Sequence, residues 1–466
     1  MTPISRRSFL AATAGLAAAP AFGQSGGSNP DIAIIGAGAA GIAAARRIAA
    51  AGKRAIILEA ADRVGGRCLT DARKFGVPVD LGAHWIHMPD INPVAKLAPG
   101  AGLDVYPAPR GQRLRIGRRY AREGELEDFL AALVRCNRAI QDAARGKADV
   151  SCAQAMPKDL GDLQPAIEFF LGPFGCGKDL KDISAVDFAK SAERDIDAFC
   201  RQGFGALLAK LAEGLPLELS TPVSLVDAFG RSAVELVTAR GRITARAVIV
   251  TASTNVLASG KLKFTPDLPK RQLDACDRLS LGSYDRIILE LPDNPLGLER
   301  DDLLFEKAEN ERTASLLANV GGANLAFIDV GGKFGRDLAA RGERAMTAFA
   351  TEWLTGLYGT DIGKAVGKSH ATQWNASPWA LGAFSAAAVG GQPSRRVLME
   401  PFRDRVFFAG EAVHETLWGT VGGAWESGER AAAAALRLFG IVSKPPEQPK
   451  VAPQVQRPAR APRPVR

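Results

Sequence analysis

The stretch Asp31–Arg67, DIAIIGAGAAGIAAARRIAAAGKRAIILEAADRVGGR, decides the fold, because it carries the parts of a nucleotide-binding βαβ unit in order. Asp31 to Ile35 is a short apolar run of strand type. It ends in Gly36-Ala37-Gly38-Ala39-Ala40-Gly41, which opens an Ala-rich helix. In this G-x-G-x-x-G arrangement Gly36 permits the turn, Gly38 lets the backbone approach a pyrophosphate, and Gly41 lets helix and strand pack. The phosphates then sit on the helix N-terminus, beside Ala39 and Ala40. A second strand, Ala55 to Leu58, ends at Glu59, roughly 20 residues beyond the glycines, where a carboxylate accepts from ribose hydroxyls. A lone G-x-G-x-x-G also describes a Gly-rich helix start without a ligand. Strand, glycines, helix, strand and acid in succession favour the nucleotide site.

Working outward, the 466 residues are 47% hydrophobic and 23% charged, an ordinary globular composition long enough for two domains. Of the formal net charge of +9, two units are Arg6 and Arg7 and a net five lie beyond residue 443, which leaves 31–443 near +2. That is no electrostatic footprint for nucleic acid. Ser5-Arg6-Arg7-Ser8-Phe9-Leu10 precedes an apolar run from Ala11 to Ala19 and a small-residue cleavage site, Ala19-Pro20-Ala21. The order is that of a twin-arginine signal over 1–29, read by the Tat export machinery, a route for proteins that fold around a bulky cofactor first. No other apolar run reaches the ~20 residues of a membrane span, so the mature protein is expected to be soluble and periplasmic. Cys68, Cys136, Cys152, Cys176, Cys200 and Cys276 form no C-x-x-C, so neither a zinc nor a dithiol site is expected, and disulfide pairing stays open. Residues 443–466, rich in Pro, Gln, Ala and Arg, read as a disordered, solubilising tail.

After the fingerprint, Glu59-Ala60-Ala61-Asp62-Arg63-Val64-Gly65-Gly66-Arg67 resembles the E-x-x-x-R-x-G-G-R continuation of FAD-containing amine oxidases, and further blocks follow in that family's order. Gly82-Ala83-His84-Trp85-Ile86-His87 is similar to the G-A-x-W-I-H-G block that lies against the flavin, with Met88 in place of the glycine. His84 and His87 read as core histidines, since no further metal ligands stand nearby. Gln202-Gly203-Phe204-Gly205 leads a helix back to the cofactor domain. The strand-like runs Val223 to Asp227, Ala233 to Thr238 and Ile243 to Val250 resemble the family's β-meander over the adenine. That resemblance assigns Val223 to the adenine and Thr251 to the pyrophosphate side.

Gly282-Ser283-Tyr284-Asp285-Arg286 aligns with a family block whose fifth residue is normally a lysine, bound through a water to flavin N5. Arginine is no silent replacement, and a flavin-facing role and an ordinary edge-strand role are both open for Arg286. Trp374-Asn375-Ala376-Ser377-Pro378-Trp379-Ala380-Leu381-Gly382-Ala383-Phe384-Ser385 resembles W-x-x-D-P-W-A-x-G-S-Y-S. The likeness implies a cofactor contact for Trp379 and one wall of an aromatic cage for Phe384. Ala383 falls where monoamine oxidases carry a flavin-linking cysteine, which implies non-covalent FAD. Gly410-Glu411 and the run from Leu417 to Arg430 resemble the closing block. There a helix from Val421, with Ala424 on its first turns, aims its N-terminal amides at the flavin, and Thr420 takes the second cage position.

The resemblance covers 31 to 440. It implies an α/β fold, with a Rossmann-type FAD-binding domain (30–110, 200–270 and 395–442) interleaved with an α+β substrate domain (111–199 and 271–394). Within the latter, Arg113 to Tyr120 reads as a hairpin, 126–144 and 336–357 as helices, and Arg286 to Leu291 and Leu325 to Val330 as strands. The implied chemistry is oxidation of an amine C–N bond: hydride to FAD N5, hydrolysis of the imine, and reoxidation by oxygen or another acceptor. Trp374, Phe384 and Trp418 are the expected apolar walls, with Arg286 and Thr420 beside them. Two alternatives stay open. One is an amino-acid oxidase or tryptophan-monooxygenase-like enzyme that pairs Arg286, Arg115 or Arg118 with a substrate carboxylate. The other is a non-catalytic flavin-binding partner protein.

Overall fold

The computed structural model describes residues 29–109, 111–191 and 196–442, so the export signal up to residue 28 and the tail from 443 lie outside the described residues. Strand β1 (Ile32–Ile35) stands at the centre of a five-stranded parallel sheet, flanked by β2 (Ala55–Leu58) and by Ala247–Val250. Leu217–Glu218 and Val406–Phe408 form its edges. Every residue of β1 is buried, the condition that calls for a continuous apolar run instead of alternation. Helix α1 (Ala39–Ala50) lies along the closing helix Val421–Leu436, and the two meet through their smallest residues. A Cβ at Gly428 would stand 2.0 Å from the Ala40 carbonyl, and one at Gly41 1.9 Å from the Gly36 carbonyl. Both contacts are therefore made at backbone distance, which pins α1 to β1 and to the closing helix.

The apolar run from 243 to 250, read from sequence as one strand, is two strands in two sheets. Gly241–Ala245 completes a four-stranded sheet with Val234–Thr238, Val223–Asp227 and Lys263–Thr265, and exposed Arg246 turns the chain into Ala247–Val250 of the parallel sheet. The other half of the molecule is built on a seven-stranded sheet, ordered Ser369–Ala371, Tyr284–Glu290, Leu325–Gly331, Ser315–Ala318, Asp302–Glu306, Arg113–Ile116 and Arg119–Tyr120. The helix expected over 336–357 is also two, Gly332–Ala340 and Glu343–Tyr358, parted at Gly342 with φ 89°. A three-stranded sheet, Ile86–His87, Asp197–Cys200 and Val105–Pro107, stands beside the large cavity. All six cysteines are free and buried. No described helix is long and apolar enough to cross a membrane.

Candidate active site

One cavity of about 1520 Å³ runs from the β1–α1 turn to the face of the seven-stranded sheet. It exceeds the ~300–1,000 Å³ of a single-ligand pocket, which leaves room for a dinucleotide and a second molecule. At its first end the walls are backbone. Gly36 turns with φ 104°, and Gly38 caps α1 without any side-chain hydrogen bond, so the first amides of the helix are left for a ligand. A Cβ on Gly38 would meet no protein atom within 4 Å on the cavity side. Ala39, Ala40, Ala60, Gly65 and Gly66 complete this lining. Gly41 does not line it; its part is the close packing described above.

Glu59, 7% exposed, accepts from the amides of Ala37 (2.6 Å) and Ala61 (2.8 Å), so its carboxylate ties the glycine turn to the end of β2 while still lining the cavity. Arg63 donates to the carbonyls of Val64 and Gly66 and so shapes the second glycine pair. Val223, Thr251 and Trp379 line the cavity near this end, and the Thr251 hydroxyl donates to the Ile35 carbonyl at 2.8 Å.

Further in, Gly82, Ala83, His84 and Trp85 face Gly410, Glu411, Thr420, Val421 and Ala424 across the cavity. Glu411 receives Arg67 at 2.8 Å, the Ser385 hydroxyl at 2.7 Å and the Gly419 amide at 2.9 Å. Burial alone would raise its carboxyl, but the Arg67 charge and the Ser385 hydroxyl overcome it and hold the group below the ordinary carboxylate range. The Thr420 hydroxyl is committed to the backbone, donating to Leu417 (2.7 Å) and capping the closing helix at the Gly423 amide (2.9 Å). His84 is buried and hydrogen-bonded to Asp80 at 2.8 Å, as a core histidine would be. His87 is only half-buried, against Asp197 at 2.6 Å, and both histidines line the cavity.

The inner chamber is made of side chains. Trp374 and Phe384 line it, as do Phe170, Phe174 and Tyr284, which sequence reading did not single out. Phe170–Phe174 is a π-type turn, the wider helical turn found frequently at functional sites, and it packs both phenylalanines against Phe305, Phe170 tilted at 4.9 Å and Phe174 edge-on at 5.0 Å. Trp418 is not part of the wall. At 1% exposure it belongs to the core, its ring 5.0 Å from the Arg395 guanidinium. Leu417 and Gly419 turn the chain here, so the cavity receives Gly419 and Thr420 instead.

Arg286 lines the chamber from an inner strand, which removes the edge-strand reading. It is 3% exposed and forms a bidentate pair with Asp329, Nε to Oδ1 at 2.8 Å and Nη2 to Oδ2 at 2.9 Å. Nη1 donates to the carbonyls of Asp80 (2.9 Å) and Gly82 (3.2 Å), and the guanidinium lies 4.3 Å from the Phe327 ring. Asp329 is the residue directly opposite Arg286 in the antiparallel ladder. The cross-strand pairing of opposite charges was the signal available once those two strands were registered.

The sequence matches the family described as flavin-containing amine oxidoreductase over residues 39–436. The chain belongs to this family. Among curated relatives it is 26% identical over 450 residues to lysine-specific histone demethylase 2 of Homo sapiens, covering 87% of this chain and 53% of that protein, about half its length. It is 26% identical over 447 residues to polyamine oxidase 3 of Oryza sativa subsp. japonica, covering 87% of this chain and 88% of the other. Among solved structures, cyclohexylamine oxidase from Brevibacterium oxydans IH-35A superimposes with a TM-score of 0.75 at 20% identity, over 89% of this chain and 100% of that one.

As a member of this family, the chain has residues that fit FAD. The uncapped α1 amides at Gly38 suit the pyrophosphate, Glu59 stands at the end of β2 for the ribose, and the Gly82–Trp85 stretch and Ala424 leave a slot for a flat ring system. Ala383 lines this slot and carries no nucleophile. Cys68 also lines it, but burial pushes its thiol well up, so it stays protonated and unreactive.

Proposed function

We propose that this protein oxidises the C–N bond of a small apolar amine, with FAD held non-covalently and oxygen as the acceptor that regenerates it, giving hydrogen peroxide. The observation that carries this reading is the continuity of one cavity from the amide cradle of α1 to an aromatic chamber. When bound, FAD accepts the hydride equivalent from the carbon beside the amine nitrogen, and water hydrolyses the imine that is left. The chain supplies the surroundings. Phe384, Tyr284, Phe174 and Trp374 exclude water and favour a neutral amine. Arg286 adds no net repulsion, because Asp329 matches its charge at 2.8 Å. The names of the rice polyamine oxidase and the Brevibacterium cyclohexylamine oxidase agree with an amine substrate.

An amino-acid oxidase needs an arginine free for a carboxylate. Arg286 is committed to Asp329, and Arg115, which donates to the carbonyls of Arg118 and Leu357, does not line the cavity, nor does Arg118. The N-terminal twin-arginine pattern supports export of the FAD-loaded protein to the periplasm, which cell fractionation tests. The test of function is anaerobic bleaching of the yellow protein by an amine panel set against an amino-acid panel. Bleaching by amino acids alone would overturn the substrate class, and bleaching by neither would leave a flavin-binding partner protein. Acid precipitation should release the yellow colour into the supernatant.

A further inference from the structure

Phe384 is one aromatic wall of the chamber, but Thr420, which also lines the cavity, offers no ring, and its hydroxyl is spent on Leu417 and Gly423. The aromatic surface continues in another direction. The Tyr284 ring lies 5.8 Å from Phe384 at 47°, and the Phe174 ring 6.4 Å from Tyr284, also at 47°. All three rings line the cavity, so they form one tilted corner that passes from the Phe384 loop onto the substrate-side sheet and the π-type turn. The Tyr284 hydroxyl donates to Asp329 Oδ2 at 2.8 Å, the same carboxylate that Arg286 holds in its bidentate grip. Arg286 thus fixes Asp329, Asp329 fixes the phenol, and the phenol fixes the ring plane. A side chain locked by charge-assisted hydrogen bonds at its far end is a rigid surface that loses little entropy on contact.

Resting on the reading that the chamber takes an amine, we propose that Tyr284 and Phe174 set its specificity, selecting amines whose nitrogen-bearing carbon carries an aromatic or ring-shaped group. Arg286 and Asp329 are the positioning residues behind them. An aromatic substituent lying in the corner gains offset or edge contacts with these rings, and a small branched alkyl group does not.

The experiment uses the FAD-loaded full chain and two amines that have no hydrogen on the nitrogen-bearing carbon and so cannot be oxidised: cumylamine and tert-butylamine. Calorimetry, with the flavin absorption spectrum as a second readout, gives both dissociation constants for wild type, Tyr284→Leu and Phe174→Leu, each checked for unchanged FAD content. Wild type should prefer cumylamine. Each variant should lose about fivefold or more of that affinity, the scale of one aromatic pair, while tert-butylamine stays within about twofold. Phe174→Leu trims the same corner from a different element and keeps the test open if Tyr284→Leu does not fold. An unchanged ratio of the two constants in either folded variant, or no preference in wild type, overturns the inference and leaves amine oxidation standing. A wild type that holds FAD but binds neither amine overturns the amine reading itself.

Discussion

The two ends of the cavity are built from different materials. The dinucleotide end is mostly backbone and small residues from one continuous stretch, 35 to 67, joined by Val223, Thr251 and Trp379, with the closing helix laid over it. Its carboxylate, Glu59, serves two main-chain amides. The amine end is made of large side chains from distant segments, held from behind by buried charge: Arg286 on Asp329, fully buried Arg395 on Asp187 at 2.7 Å, and Lys178 on the Ala386 carbonyl at 2.7 Å. The first end depends on close approach of main chain and tolerates little added volume. The second depends on paired charges out of water, which are costly to unpair.

The sharpest way to break the contrast is Arg286→Met. It strands the Asp329 carboxylate in a buried site, with only the Tyr284 hydroxyl among the described residues to answer it. Breaking one partner of a buried pair costs about 3–5 kcal/mol, so urea unfolding should show a loss of that size. A loss under about 1 kcal/mol would mean that the pair is solvated. Lys178 comes next. Burial pulls its ammonium down from the ordinary 10.5 to about 8. Between those values the unfolded chain binds the proton and the folded chain does not, so this group's contribution to stability rises with pH from about 8 to 10.5, by up to roughly 1.4 kcal/mol per unit. Lys178→Met should remove that rise. Parallel stability curves for the two proteins between pH 7.5 and 10 would refute it.

At the dinucleotide end, Glu59→Ala leaves the Ala37 and Ala61 amides without an acceptor and loosens the glycine turn. A loss of about 2 kcal/mol corresponds to roughly thirtyfold weaker FAD, read by equilibrium dialysis of the apoprotein. Global stability should change less than in Arg286→Met. If instead FAD affinity holds while the fold weakens, Glu59 belongs to the core and not to the cradle.

The same contrast explains what was legible in the sequence. The cradle is local: glycine spacing, strand, helix and acid lie within 37 residues, and β2, the close packing at Gly41 and the helix from Val421 stand where their patterns indicate. The chamber is non-local. Tyr284 stood inside a quoted block, but its place is fixed by Asp329 on a neighbouring strand, and Phe174 by a π-type turn that no periodicity announces. Trp418 was misread for the opposite reason: a conspicuous aromatic beside Gly419 and Thr420 looks like a wall, while the turn there sends its ring into the core. The division of 243–250 at Arg246 is likewise a matter of which sheet takes each half.

Met88 offers the smallest effect and the finest test of that legibility. The family block has glycine at this position, and here the methionine adopts φ 49°, the left-handed region where a Cβ crowds the following carbonyl. The turn cannot relax, because it is tied on both sides. The Met88 amide donates to Ile196 at 2.7 Å, and its carbonyl receives the amides of Ile91 (3.0 Å) and Asn92 (2.9 Å) at the start of the helix Pro93–Leu97. Met88→Gly should therefore release about 1–2 kcal/mol of conformational strain and return some of it as the greater flexibility of glycine in the unfolded chain, for a net stabilisation of about 0.5–1 kcal/mol. Thermal melts of the FAD-loaded protein should rise by a few degrees at most, with FAD affinity unchanged, since Met88 does not line the cavity. A melting point that falls by a comparable amount would mean that the methionine side chain packs for more than its backbone costs. The glycine of the family block would then be dispensable in this turn.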